Sequence, residues 1–278
     1  MDPIEDINRN LKAKAEHRYN NFRIEEINSI KRIYEESYLE APVWVGGDEK
    51  FVCLFIDLDR SSKMSYKKHP QTMAKIYDYF TQTLIDVLSL EGIEADYIDI
   101  KGDGAFGIFE GENAAFRALV AALTFGTFFR KHIRRKFQDE QHVFNFKAAI
   151  SVDKLLVKRI GRRGPRNNNE VWAGRLINNA SKLAALSKEI YEQDMNFHPS
   201  VDSVLVVSDT AYRIYGTKPS FAITHCGHDL EGNPQPPSEL WRRLDTSENE
   251  EIHDDRVYYA PGLWCDICQD SVREGLLS

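Results

Sequence analysis

The fold is decided by the stretch YIDIKGDGAFGIF, residues 97–109, in which two short apolar segments flank a Gly-Asp-Gly turn. Ile98 and Ile100 alternate with polar residues, which is typical of a β-strand with one buried face. The glycines interrupt the run, so the sequence predicts a strand, a two-residue turn and a second strand. Asp103 is therefore expected at the tip of a hairpin, with little side-chain bulk on either side.

A second carboxylate follows another apolar stretch, FVCLFIDLDRSS at residues 51–62. Its six consecutive apolar residues predict a strand buried on both faces, and Asp57 comes where that strand ends. Two carboxylates roughly 4 Å apart repel by about 4 kcal/mol at an effective dielectric of about 20, and a divalent cation reverses the sign of this term. Oxygen ligands suit Mg²⁺ or Mn²⁺. Either aspartate alone is better explained as a turn or strand-end residue, but the pair, combined with a third polar segment described below, favours a metal site.

The composition is that of a globular protein. The 278 residues are 42% hydrophobic and 28% charged, enough for one sizeable domain with extensions or two small domains. The net charge of −7 argues against nucleic acid or an anionic membrane as a partner. No apolar run approaches the length of a membrane span, the first residues are acidic, and four unevenly spaced cysteines do not make a disulfide framework. We therefore expect a cytoplasmic protein.

Hydrophobic periodicity predicts the order of the elements. The segments are a strand at 51–58, a helix at 70–90, the hairpin at 97–109, a helix at 112–137 and a strand at 143–157. This β-α-β-β-α-β order is the split βαβ arrangement of ferredoxin-like sheets, so the predicted class is α+β. A basic, exposed hairpin or loop at 158–169 follows, and then a helix at 174–186, a strand at 203–208 and a short helix at 209–215.

Both ends of the chain extend this arrangement. Residues 1–47 are polar, with isoleucines at helical spacing between 24 and 33. They predict one or two helices packed on the main domain or on a partner chain, or a loosely docked arm. We expect three domains: an N-terminal helical segment at 1–47, the main domain at 48–216 and a C-terminal extension at 217–278.

The predicted helix at 174–186 begins GRLINNASKL and carries polar residues on one face. Asn178 and Lys182 are i and i+4, so they stack on the same side of the helix, and Arg175 precedes Asn178 by three residues on that side. The apolar residues between them form the opposite, buried stripe. This is the third polar segment of the main domain.

With these three segments the chain resembles the catalytic domain of class III nucleotidyl cyclases over roughly residues 48–216. The family's first metal motif is an apolar strand ending in Asp, then a turn and Ser/Thr, and residues 51–62 match it. The Gly-Asp hairpin matches Gly102 and Asp103, and the helix motif matches residues 174–183. The resemblance implies an enzyme in which the 3′-hydroxyl of a nucleoside triphosphate attacks its own α-phosphorus and pyrophosphate leaves.

The resemblance also implies the roles of individual residues. The residues expected to hold two divalent metal ions, Mn²⁺ or Mg²⁺, are Asp57, Leu58 and Asp103. The residues expected to act on ribose and α-phosphate are Asn178 and Lys182. Further substrate contacts are expected from Leu58, Ser61, Ser62, Tyr97, Asp99 and Arg175. The family builds its sites between two catalytic domains, so a homodimer with composite sites is implied.

The departures from the family concern the base. Purine-using members carry Lys or Glu three residues before the hairpin glycine, where this chain has Asp99, and often an Asp where it has Val171. The loop is one residue longer than usual, so the alternative base readers are Asn168, Asn169 and Glu170. Asp99 can accept a hydrogen bond from uracil or cytosine alike. The alternative is that Asp99 only pairs with Lys101 or a loop cation, and another residue reads the base.

Lys182 replaces the usual helix Arg and loses its bidentate fork. Together with the basic loop and a Cys-x-x-Cys tail, these departures resemble the pyrimidine cyclases of the Pycsar antiphage systems. That resemblance implies conversion of UTP or CTP to cyclic UMP or cyclic CMP, with UTP favoured. The product would be a second messenger of antiviral defence, read by a separate effector.

Three other functions are compatible with parts of the pattern. The chain could be an adenylate or guanylate cyclase, or a catalytically inactive domain that binds nucleotide and signals by conformation. A palm-type polymerase or dinucleotide cyclase would show a Gly-Gly-Asp/Glu-Glu/Asp-Phe hairpin, whereas this hairpin reads GDGAF.

Residues 217–278 lie outside the resemblance to class III cyclases in general and contain the sequences HCGH at 225–228 and CDIC at 265–268. A Cys-x-x-Cys with a His/Cys cluster is plausible zinc spacing. The expected ligands are Cys265 and Cys268 with two of His225, Cys226 and His228, the favoured pair being Cys226 and His228. The alternative is a set of ordinary reduced thiols and surface histidines. Cys53, in the first strand, is expected in the core.

Overall fold

A computed structural model describes residues 3–35, 43–45, 50–137, 144–161, 168–193, 203–217, 225–229, 232–262 and 264–277. The chain forms two compact units, residues 1–49 with 154–173 and residues 50–153 with 174–278. The boundaries of these units differ from those of the three predicted domains. The reason is that residues 154–173 contribute strands to the sheet of the N-terminal unit. The three-domain division stays a prediction.

In chain order the first elements are α1 (Pro3–Asn20), β1 (Glu25–Ile27), α2 (Arg32–Glu35), β2 (Val43–Val45), β3 (Phe51–Leu58), α3 (Ser61–Ser65), α4 (Pro70–Leu88), β4 (Tyr97–Lys101) and β5 (Gly104–Phe109). The next are α5 (Ala114–Phe128), a π-helical turn (Phe129–Arg134), α6 (Arg135–Phe137), β6 (Phe146–Asp153), β7 (Leu155–Gly161), β8 (Asn168–Ala173) and α7 (Arg175–Gln193). The last are β9 (Val204–Ser208), α8 (Asp209–Thr217), β10 (His225–His228), β11 (Pro234–Glu239), β12 (Arg242–Asp245), β13 (Arg256–Pro261) and α9 (Asp266–Leu277).

The larger unit is built on a seven-stranded sheet with the strand order β12-β13-β9-β6-β3-β5-β4. Its four strands β6, β3, β5 and β4 are antiparallel neighbours, and with α4 and α5 they complete the predicted β-α-β-β-α-β order. β9 adds to β6 in parallel, and β13 and β12 of the C-terminal region continue the sheet. The prediction of an α+β, ferredoxin-like fold is confirmed.

The central sheet has a separate core on each face, because alternate side chains of a strand point to opposite sides. Leu54 and Ile56 of β3 pack with α4 and α5 on one face. Ala149 and Val206 pack with Leu183 of α7 on the other. Coverage of both faces explains why β3 is apolar along nearly its whole length. The first charged side chain of the strand is Asp57, at its end.

The predicted boundaries agree at β3 and at the hairpin, but two predictions are wrong in detail. Residues 143–157 are not one strand, since β6 ends at Asp153 and β7 begins at Leu155 in the other sheet. The isoleucine spacing between 24 and 33 reflects β1, a turn and the short α2, which together bury Ile27, Ile30 and Ile33 as one helix would. Within the predicted basic loop, residues 162–167 lie outside the described residues.

The smaller unit has a four-stranded sheet in the order β1-β2-β7-β8, with β1 and β2 parallel and the other neighbours antiparallel. The helix α1 precedes the isoleucines on which the helix prediction rested, and its apolar residues Ile4, Ile7 and Leu11 are exposed. Among the helices that the structure describes, none has the length and apolar character needed to cross a bilayer.

Close packing at Gly126 of α5 generates a stability prediction. A Cβ on Gly126 would stand 2.1 Å from the carbonyl oxygen of Gly262, a main-chain atom that cannot swing away. Gly126→Ala should therefore lower the free energy of unfolding by about 1–3 kcal/mol or more. The matched control is Gly216→Ala in α8, where a Cβ meets no atom within 4 Å. That change should stabilise by about 0.5–1 kcal/mol, since Ala is the better helix former. Equal urea midpoints for the two variants would contradict this packing.

Candidate active site

Two carboxylates meet where β3 ends beside the β4–β5 turn. Asp57 lies opposite Gly104 in the register of β3 and β5, and Asp103 directly precedes Gly104. The pKa of Asp57 is raised above its ordinary value, first because burial disfavours the charged form and further because of the negative charges of Asp103 and Asp59. The predicted pair is thus brought together in a half-buried setting.

The glycine between them is required by space. A Cβ on Gly104 would stand 2.8 Å from Oδ1 of Asp57 and 2.6 Å from the carbonyl oxygen of Ile56. Next to it, Oδ2 of Asp103 is buried and has no hydrogen-bond partner among the described residues. A buried carboxylate oxygen without a donor is costly. Hard anionic oxygens with this need fit a divalent cation.

A lysine that the sequence analysis missed completes this group. Lys147 of β6 lies directly opposite Asp57, and its ammonium group forms an ion pair with Oδ2 of Asp57. This contact lowers the pKa of Asp57, against the larger effect of burial. Lys147 thus supplies positive charge to the carboxylates. Its position could be recognised only once the strand register was known, because it sits 90 residues from Asp57 in an ordinary strand pattern.

Tyr77 of α4 is a second residue that the sequence analysis did not place at the site. Its hydroxyl is hydrogen-bonded to the side chain of Ser61, and its pKa is raised by burial and then by the nearby charges of Asp103 and Asp57. Ser61 is therefore hydrogen-bonded to a tyrosine whose pKa is raised by the charges of both carboxylates. The helical spacing of Tyr77 with apolar neighbours had suggested only a packing role.

The other residues predicted to contact substrate near β3 and β4 differ in their exposure. Leu58 has a buried side chain, so a ligand could be reached only by its main chain, and Ser62 is exposed. Tyr97 is buried and shares a strand face with Asp99. The carboxylate of Asp99 forms an ion pair of 2.8 Å with Lys101, the alternative role considered for it.

The predicted polar face of α7 contacts the segment between β12 and β13. Lys182 forms an ion pair of 2.5 Å with Glu251, and Nη1 of Arg175 lies 2.6 Å from Nε2 of His253. The side-chain amide of Asn178 donates to the carbonyl oxygen of Gly174, at 2.9 Å. All three predicted side chains are exposed. They are available to a ligand once these contacts are exchanged.

One chain does not bring the two halves of the predicted site together. Near the start of α7, Asn179 donates to Ser151 of β6 at 3.2 Å. Nine residues later, Lys188 forms an ion pair of 3.0 Å with Asp59, two residues after Asp57. Nine helical residues span about 13 Å. The aspartates thus lie beside the C-terminal end of α7, whereas its predicted substrate-binding face lies toward the other end.

In the C-terminal region the structure gathers Cys226, His228, Cys265 and Cys268, whose ligand atoms all lie within 4.8 Å of one another. His225 is exposed and outside this cluster. Cys53 is fully buried, as predicted for a core residue.

Comparison with known proteins agrees with the resemblance. No protein-family model matches the chain. A protein of Propioniciclava tarda named uridylate cyclase is 32% identical over 179 residues, 63% of this chain and 54% of that protein. A uridylate cyclase of Micromonospora echinofusca is 28% identical over 220 residues, 78% of this chain and 65% of that protein. The chain thus spans less than two thirds of the length of either relative.

Solved structures show the same fold. A bacterial light-regulated adenylyl cyclase matches with a TM-score of 0.56 at 12% identity, over 99% of this chain and 68% of that one. The guanylyl cyclase Cya2 matches with a TM-score of 0.51 at 13% identity, over 76% of this chain and 90% of that one. At such identities the likeness concerns the fold alone, which is that of a class III nucleotidyl cyclase domain.

The raised pKa of Asp57 generates a prediction on pH and Mg²⁺. Protonation of Asp57 contributes stability that is full below its unfolded pKa of about 3.9 and is lost as pH rises through the higher folded value. Mg²⁺ bound to the carboxylates offsets that loss. The rise in Tm produced by Mg²⁺ should therefore grow as pH rises above about 4.

The control variants are Asp57→Asn and Asp78→Asn, the latter removing an exposed carboxylate next to Tyr77 in α4. The pH-dependent growth should disappear in Asp57→Asn and persist in Asp78→Asn. A Mg²⁺-induced rise in Tm that does not change with pH, or that keeps its pH dependence in Asp57→Asn, would count against a cation site at these carboxylates.

Proposed function

We propose that this chain is a pyrimidine nucleotide cyclase that converts UTP, or CTP, into the 3′,5′-cyclic monophosphate and pyrophosphate. The observation that carries the proposal is the pairing of Asp57 with Asp103 at a strand end and hairpin turn of a cyclase fold. Similarity to two proteins named uridylate cyclase supports the choice of UTP. The product would be a second messenger for antiviral defence, read by a separate effector.

The carboxylates fit a divalent metal site. Asp57, Asp103 and the main chain of Leu58 would hold Mg²⁺ or Mn²⁺, two per site, and Asp103 has a buried oxygen to offer. Such ions neutralise phosphate charge and lower the pKa of an attacking hydroxyl. Lys147 balances the charge of Asp57 before substrate arrives.

The remaining work is positioning and charge stabilisation, since phosphoryl transfer needs little covalent chemistry from the protein. Lys182 would stabilise negative charge on the α-phosphate as a point charge, and Asn178 would hold the ribose oxygen. Arg175 would add a cation for the phosphates. The segment of Ser61 and Ser62 would cradle the triphosphate, Ser61 being oriented by Tyr77.

We infer that each site is shared by two copies of the chain. Asp57 and Asp103 would come from one copy, and Asn178 and Lys182 from the other. The support is the arrangement along α7, which sets the two groups at opposite ends of that helix within one chain. A two-fold dimer repeats each contact, so it would hold two such sites.

The base would be read on the face of Tyr97 and Asp99. Asp99 can accept from N3–H of uracil or from the N4 amine of cytosine, and its partner Lys101 fixes the carboxylate at the strand edge. A site built for a small base rejects a purine by size, and one with unmatched polar groups rejects it further.

The first test of this proposal is product formation from each of the four nucleoside triphosphates with Mn²⁺, followed by chromatography. We expect UTP to be the best substrate and ATP and GTP to be poor. Asp103→Asn should lower kcat/KM by about 100-fold or more, because several kcal/mol of charge stabilisation depends on the metal site.

The matched control is Asp78→Asn, which should keep wild-type turnover. ATP or GTP as the best substrate would overturn the pyrimidine assignment. Normal turnover by Asp103→Asn at saturating Mn²⁺ would overturn the site, and inactivity toward all four nucleotides would favour a binding-only domain.

Sharing of the site is tested by mixing two inactive variants. Asp103→Asn and Lys182→Ala damage opposite halves, so a mixed dimer keeps one intact site. An equal mixture should recover about a quarter of wild-type activity, since half of the dimers are mixed and each has one working site of two. Mixing Asp57→Asn with Asp103→Asn, which damage the same half, should recover nothing. Absence of recovery in the first mixture, after demonstrated subunit exchange, would argue for sites within one chain.

A further inference from the structure

The C-terminal region contains a second group of metal-ligand side chains, contributed by two separate elements. Cys226 and His228 belong to β10, and Cys265 and Cys268 lie at the start of α9. Their ligand atoms all lie within 4.8 Å of one another. We propose that these four residues bind one Zn²⁺ ion in a closed Cys₃His site, which fastens β10 to the start of α9.

The sulfur positions suit a tetrahedral ion. The Sγ atom of Cys226 lies 3.5 Å from Sγ of Cys265 and 3.5 Å from Sγ of Cys268. Zn–S bonds of about 2.3 Å at tetrahedral angles set sulfur atoms about 3.8 Å apart. A disulfide would need about 2.05 Å, and all of these cysteines are free thiols. Only a small adjustment of the side chains is needed for these sulfur atoms to bind one shared ion.

The three cysteine side chains are buried, and besides the other thiols Sγ of Cys226 contacts the carbonyl oxygen of His228, at 3.3 Å. The three cysteines are 7%, 2% and 7% exposed, in sequence order. Nδ1 of His228 is buried and has no hydrogen-bond partner among the residues that the structure describes. Thiols are weak hydrogen-bonding groups, so a cluster of three beside an unsatisfied imidazole nitrogen gains little from itself. A cation that uses all four groups satisfies them together.

Two main-chain features favour thiolate at this place. The backbone N–H of Cys268 points to Sγ of Cys265 at 3.4 Å, the kind of outer hydrogen bond that steadies a ligating sulfur. Cys268 also lies in the first turn of α9, a 12-residue helix, where the helix dipole favours negative charge. Soft sulfur ligands select zinc over Mg²⁺ or Mn²⁺, and four protein ligands make the site structural.

The position of the cluster shows what the ion would stabilise. β10 and β11 form a sheet of two strands, and every residue of β11 is exposed. A two-stranded hairpin of this kind is marginal in water by itself. On the other side, α9 is anchored to α5, where Gln269 bonds Thr127 and Arg273 bonds Thr124. Zinc would therefore tie a weak hairpin to a helix already docked on the core.

The experiment is metal analysis of the full chain purified without chelator, with Co²⁺ substitution as a spectroscopic probe. We expect one zinc per chain, and in the Co²⁺ protein the thiolate-to-metal charge-transfer absorption that carboxylate ligands do not give. His228→Ala and Cys268→Ser should lose both signals after dialysis against a chelator that leaves the wild type loaded. The matched controls His225→Ala, on the same strand, and Cys53→Ala, in the core, should retain both.

The structural role has its own readout. Stripping zinc should lower Tm and accelerate hydrogen exchange by at least about tenfold in β10 and α9 and leave β3 unchanged. A wild type that takes up no zinc, a Cys265–Cys268 disulfide in its place, or full retention of metal by His228→Ala and Cys268→Ser would overturn the site. Zinc loss without faster exchange in β10 would overturn the structural role.

Discussion

The repulsion among carboxylates at the end of β3 is the constraint on which the proposed site depends. Burial and the charges of Asp103 and Asp59 all disfavour ionised Asp57. Lysines from different elements offset part of this repulsion: Lys147 forms an ion pair with Asp57, and Lys188 forms one with Asp59. Oδ2 of Asp103 receives no such partner among the described residues. Within the part of the chain that the structure describes, Asp103 thus keeps a buried carboxylate oxygen for a cation, as the proposed metal site needs.

The sequence predicted what local periodicity controls. β3, the hairpin and α7 have strong apolar patterns, so Asp57, Asp103 and the polar face of α7 could be located in advance. Lys147 could not, because its pairing depends on strand register, a contact between distant segments. Tyr77 fits a buried stripe equally well with or without a polar role for its hydroxyl. The break between β6 and β7 was missed because strand-like alternation continues across Lys154.

The direction of α7 across the sheet is what makes a second copy necessary in the proposed mechanism. Contacts from Asn179 to Ser151 and from Lys188 to Asp59 fix that direction at both ends of the helix. Reversing it would require breaking both, together with the core around Leu183. The same packing therefore keeps Lys182 and Arg175 of one copy away from the metal-site aspartates of that copy. If sites are shared between copies, as proposed, this separation within one chain is the reason that two copies are needed.

The acidic segment between β12 and β13 provides partners for Lys182 and Arg175 of α7 when no substrate is bound. Glu251 and His253 contact Lys182 and Arg175, placing a carboxylate near groups proposed to meet phosphate. Lys182 and Glu251 are 48% and 70% exposed, and ion pairs so open to water are weak. A triphosphate carries more charge than one carboxylate and offers several acceptors. These contacts can therefore hold the side chains on the helix face without competing strongly against a nucleotide.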